Sequence, residues 1–154
     1  MRLLTRAVFA ASIAVATGAA LAATPATGLG QSWPNASDVS TNPNFHVYVF
    51  AMGGVEYIQV NDINGNVLGS VGTAGGQFIT LPIGRYAQQV VTPSQPASAS
   101  TSATPVAAAA TVYNDGTTTV TATPLNDGTM RLNAAAAQPC TDPIDCSMKG
   151  ITGQ

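Results

Sequence analysis

Two turns at glycine constrain how this chain can fold. In Asn44–Val91 (NFHVYVFAMGGVEYIQVNDINGNVLGSVGTAGGQFITLPIGRYAQQVV), Gly53-Gly54 and Asn64-Gly65 each separate runs of alternating apolar and polar residues. Such dipeptides suit two-residue hairpin turns, whose central positions require φ > 0. Folding about Gly53-Gly54 sets Phe50 opposite Tyr57, Val49 opposite Ile58, Tyr48 opposite Gln59, Val47 opposite Val60 and His46 opposite Asn61. Folding about Asn64-Gly65 sets Ile58 opposite Val71 and Asp62 opposite Val67. Cross-strand partners share a face, so the two turns test each other. They agree. One face collects Val47, Val49, Ala51, Ile58, Val60, Val67 and Val71; the other collects His46, Tyr48, Phe50, Tyr57, Gln59 and Asn61.

The pattern continues through Gly75-Gly76, a strand at Gln77–Leu81, a turn at Pro82-Ile83-Gly84 and a strand at Arg85–Val91. Parity places Phe78 and Thr80 on the aliphatic face, with Ile79 and Leu81 opposite. The block therefore reads as a meander of about five strands, with one dry face and one mixed face. Thr111–Asn133 resumes the strand pattern around two Asn-Asp-Gly turns, Asn114–Gly116 and Asn126–Gly128. A unit of about 50 residues is marginal alone, so these strands are expected to pack back over one face of the meander. The expected class is all-β, a small antiparallel meander or β-sandwich with a disordered linker and tail. Segment by segment, 23–43 is an irregular lead-in and 44–92 the β-domain. A Pro/Ser/Ala-rich linker at 93–110, additional strands at 111–133 and a tail at 134–154 follow. Trp33-Pro34 is the one anchor expected in the lead-in, with Trp33 capping a core edge.

The first 22 residues predict an address rather than a structure. Arg2 and Arg6 precede a short apolar run that ends in Ala20-Leu21-Ala22, the pattern of a secretory signal peptide cleaved after Ala22. The run falls short of the roughly 20 residues a membrane-spanning helix needs, so no span is expected in the mature chain. Export by the general secretory route implies a periplasmic or extracellular location. Cleavage removes two of the five cations and none of the seven acids, leaving a net charge of −4. No basic footprint for nucleic acid remains. Cys140 and Cys146 are the only cysteines, and an even count in an exported chain predicts a disulfide closing the tail.

VNDINGNV followed by GGQFITLPIGRY resembles the pattern of carboxypeptidase-regulatory-like, prealbumin-type β-sandwich modules. In that pattern a strand ends in D-x-x-G, then G-x-F follows, then a hydrophobic residue and P-x-G-x-Y. The resemblance covers Val60–Tyr86. It implies a non-catalytic accessory or surface module and transfers no functional residues.

Reactive chemistry is sparse. A Ser-His-Asp enzyme would have to use His46, the one histidine. Ser70, in LGSVG, faces Gln59 within a strand rather than at a strand-to-helix elbow. The acids, apart from Glu56, sit in apparent turns or loops, and Asp next to Gly or Asn serves the turn itself. Asp62–Asn66 lacks the Gly and Glu that an EF-hand loop would require and reads as a hairpin turn. No catalytic residue, metal site or cofactor is expected. The candidate binding surface is the mixed face of His46, Tyr48, Phe50, Tyr57, Gln59 and Asn61, where rings beside amides suit a glycan or a cell-envelope protein. The same face could instead serve as a second buried core. The expected function is an exported, non-catalytic β-module with a structural or surface-binding role. A self-associating fibre or matrix subunit is the alternative, and a small secreted enzyme ranks last.

Overall fold

The computed structural model describes residues 25–97 and 102–138. The expected leader and cleavage site, and Cys140 and Cys146 with their expected bridge, lie outside the described residues. The architecture is all-β. β1 (Phe45–Met52), β2 (Val55–Asp62), β3 (Val67–Ala74) and β4 (Gln77–Leu81) form a four-stranded sheet in that order. β5 (Val90–Val91), β6 (Ala110–Asn114), β7 (Thr118–Pro124) and β8 (Met130–Ala136) form a second sheet in the order β5-β8-β7-β6.

The first hairpin follows the glycines. Gly53 and Gly54 adopt φ of 61° and 80°, the conformation a two-residue primed turn demands. Phe50 pairs with Tyr57, Val49 with Ile58, Tyr48 with Gln59, Val47 with Val60 and His46 with Asn61. The turns at Gly75-Gly76, Gly116 and Gly128 likewise use positive φ at glycine.

The second hairpin differs from the expectation. A two-residue Asn64-Gly65 turn would need positive φ at Asn64, and no non-glycine residue adopts it among the described residues. Instead the Gly65 amide donates to the Asp62 carbonyl and the Asp62 amide to the Asn66 carbonyl, giving a three-residue loop. Asp62 Oδ1 fixes it by accepting from the amides of Asn64 and Asn66. Asn61 therefore pairs with Val67, and a bulge restores the register at Val60–Gly69. The correction reassigns one core position: Leu68 is buried in the core, whereas Val67 is only half-buried. Beyond the bulge the expected pairing of Ile58 with Val71 holds.

The fifth strand also departs from the meander. After β4 the chain bends at Gly84, whose backbone passes so close to Gly69 that a Cβ would lie 2.6 Å from the Gly69 amide nitrogen. The amides of Arg85 and Tyr86 then donate to the carbonyls of Val67 and Leu68. A single 3-10 turn, Ala87–Gln89, delivers β5 to the other sheet, parallel to β8.

The two sheets pack face to face. Val47, Ile58, Val60, Leu68, Val71 and Phe78 from one meet Val90, Val112, Val120, Ala122, Leu132 and Ala134 from the other. Gly69 marks a close approach, since a Cβ there would meet Leu132 and Val90 at 2.7 and 2.8 Å. The strands after residue 110 thus cover the dry face of the meander. Part of the linker is engaged as well: the Val106 amide donates to the Pro124 carbonyl, and Thr104 and Asn126 exchange two bonds.

Candidate functional site

The mixed face of the first sheet lies away from the second sheet, yet much of it is buried. The lead-in lies over it as a looped strap, turned at Gly28–Gln31 and closed on itself where the Thr27 amide donates to the Asn35 carbonyl. Two amide side chains hold that strap by its backbone. Gln59 accepts from the Gly30 amide at 2.6 Å and donates to the Gln31 carbonyl at 2.8 Å and to Asn61 Oδ1 at 2.9 Å. Asn61 Nδ2 donates to the carbonyls of Ser32 at 2.7 Å and Gly65 at 3.3 Å. Gln59 and Asn61 are both 0% exposed, which is tolerable because their polar atoms find partners.

The strap ends at the edge of β1. Asp38 Oδ1 accepts from the amides of Ser40 and Val47, its Oδ2 meets His46 Nδ1 at 2.7 Å, and the Val39 amide donates to the Val47 carbonyl. The chain then crosses to the second sheet. There a bulge frees the Val112 carbonyl to accept from the Thr41 amide and the Ser40 hydroxyl. Burial alone would raise the Asp38 carboxyl, but bonds from His46, Val47 and Ser40 outweigh it and hold the group below its ordinary value. Burial, and then the Asp38 charge, pushes the Tyr48 phenol up.

Of the residues expected to form a binding face, Tyr48, Phe50, Gln59 and Asn61 are buried in this arrangement, while His46 and Tyr57 are half-buried. The structure does bring them together, on one face in the expected register. Ser70 pairs with Gln59 as expected and is buried, its hydroxyl without a partner among the described residues. His46 and Asp38 have the geometry of a base and its orienting group. The imidazole's other near neighbours are the rings of Trp33 and Tyr48, not a hydroxyl nucleophile. The remaining described aspartates serve their own turns: Asp62 at Asn64 and Asn66, Asp115 at Thr117 and Thr118, Asp127 at Thr129.

Trp33 is the residue the sequence reading placed at a core edge. It sits instead at the rim, 59% exposed, above Gly65 and edge-on to His46 with ring centroids 5.2 Å apart. The signal available for it was its position one residue beyond the backbone that Asn61 grips; nothing in the lead-in's own composition indicates a docked strap.

In comparisons with known proteins, no family model, curated protein or solved structure matches the chain. Function has to be argued from the geometry.

Proposed function

We propose that the chain is an exported, non-catalytic β-module with a structural or surface-binding role. One observation carries this reading: the polar side chains around the strap are spent on holding backbone. Gln59 and Asn61 grip residues 30–32, Asp38 caps Val47 and Ser40, and His46 is tied to Asp38. Groups committed in this way build a rigid surface rather than a reaction centre. The resemblance of Val60–Tyr86 to prealbumin-type modules points the same way.

Export and the tail disulfide belong to the same proposal. Mass spectrometry of the secreted protein should find an N-terminus at or near Ala23 and no titratable thiol before reduction. An intact leader would overturn the export half. Turnover of ester or glycoside substrates that is lost in His46→Ala would overturn the non-catalytic half.

A second reading, a self-associating subunit, is favoured by the edge of β1. Val47 directs its amide and carbonyl outward to Asp38 and Val39, so Val49 and Ala51 direct theirs the same way. The Asp38–Tyr48 bridge engages the edge as far as Val49, and among the described residues Ala51 has no backbone partner on that side. A groove of about 430 Å³, lined by Pro34, Ala36, Ser37, Val39 and Val49, runs beside them. Open edges of this kind pair with other strands. Size-exclusion chromatography separates the readings: assembly that grows with concentration supports the subunit, and a constant monomer supports the module.

A further inference from the structure

Trp33 is the one tryptophan in the chain, and its indole is left 59% exposed on a mount that is otherwise fixed. The mount has two parts. Below the ring, Gly65 supplies bare backbone; a Cβ there would fall 2.6–2.8 Å from Cε2, Cζ2 and Nε1. Beside it, the buried Asn61 amide donates both to Ser32, the residue before Trp33, and to Gly65, the residue under the ring. One side chain therefore ties the backbone that precedes the tryptophan to the backbone beneath its ring. His46 meets the indole in a T-shaped contact, its planes 65° apart. Exposed Ile63 and Asn64 lie in the loop that contains Gly65.

A large aromatic held rigidly at the surface loses little conformational entropy when a ligand stacks on it. The surroundings select the ligand class. Asp38, paired with His46, and Asp62, with Arg85 close enough to act on its charge, leave this rim without an excess of positive charge to draw phosphate or other anions. A protein partner would need about 800 Å² of matched surface with an aromatic or aliphatic centre. Here one indole and one isoleucine stand among amides. A sugar ring needs less: an aromatic face for its C–H surface and amide or imidazole groups for its hydroxyls.

We propose that the Trp33 rim binds a neutral hexose-based glycan, with the pyranose stacked on the indole and its hydroxyls met by Asn64 and His46. This rests on the reading of the chain as an exported binding module and names the ligand class of that module. The test is electrophoresis of the purified mature chain through native gels containing soluble β-1,3-glucan, hydroxyethyl cellulose, mannan or galactan, with alginate as the anionic comparison. Titration of Trp33 emission with whichever polysaccharide retards the protein follows. At least one gel should retard it, with a change in emission. Trp33→Ala should abolish retardation, Trp33→Phe should retain part of it, and Asn64→Ala should weaken it several-fold. Val106→Ser, exposed but in a different part of the chain, should bind as wild type. Circular dichroism confirms that each variant is folded. No retardation in any gel overturns the proposal, as does binding that survives Trp33→Ala. Retention only by an anionic polysaccharide and lost in salt overturns it equally. Export and absence of turnover are read separately, by N-terminal mass and substrate assay, so either idea can fail while the other stands.

Discussion

Replacing Gln59 with Met tests whether the strap is held as described. Methionine keeps the length and approximate volume of glutamine, so the cavity term is small. It cannot hydrogen-bond comparably, so the Gly30 amide, the Gln31 carbonyl and Asn61 Oδ1 each lose a partner. If the strap stayed in place, each orphaned group would cost about 1–3 kcal/mol. The strap can lift and let water reach those groups, so the loss is limited to the free energy that docks it. With three bonds each worth about 1 kcal/mol net, the expected destabilisation is about 3 kcal/mol. For a domain of this size that corresponds to a melting temperature lower by about 10 °C. Urea unfolding followed by two signals gives the sharper result. Trp33, the single tryptophan, reports the strap, and far-UV circular dichroism reports the sheets. In the wild type the two transitions should coincide. In Gln59→Met the fluorescence transition should come first. Coincident transitions within about 0.5 kcal/mol of wild type would refute the amide grip.

Three further outcomes follow from the same geometry. Gly54→Ala and Gly65→Ala both force alanine to φ near 80°, a strain of about 1–2 kcal/mol. Only at Gly65 does the new methyl collide with Trp33, so Gly65→Ala should cost more in chemical melts and also shift Trp33 emission. Leu68→Ala should cost about 2–5 kcal/mol and Val67→Ala clearly less, the reverse of what an unbulged hairpin predicts. Equal losses would contradict the bulge. Asp38 supplies a pH dependence: its carboxyl is lowered in the folded state, so its contribution is present above the unfolded value and lost as pH falls through the folded one. Acid titration below about pH 4 should therefore loosen the strap. Asp38→Asn should flatten this part of the profile relative to wild type, and an unchanged acid limb would show that Asp38 does not contribute.

The sequence exposed the turns because glycine positions carry a conformational demand that other residues do not meet. Gly53-Gly54 and the two Asn-Asp-Gly runs could be placed for that reason, and the faces of β1 and β2 followed by parity. The bulge at Leu68 was hidden because a three-residue loop and a bulge shift the register in opposite directions. Ile58 and Val71 then pair as though neither were there. The switch of β5 to the second sheet was hidden for another reason. It depends on how closely the Gly84 backbone approaches Leu68 and Gly69, a tertiary contact that no local pattern records.

The strap left the faintest trace, and its mode of attachment explains why. Gln59 and Asn61 contact Gly30 through its amide and Gln31 and Ser32 through their carbonyls, never through a side chain of residues 30–32. A segment gripped by its backbone needs no apolar period and no particular composition, so it reads as irregular. The information sits on the gripping side, in two amides on a face that also carries Tyr48 and Phe50. On an exposed face those amides would simply hydrogen-bond to water. Under a covering segment they must find partners, because a buried amide without them is costly. The choice between a binding face and a buried one therefore turned on what covered the sheet, and the chain covers it with its own lead-in. Trp33 is where that cover meets solvent. It lies one residue past the last gripped carbonyl, so the network that closes the face also places the backbone of the exposed tryptophan at its rim.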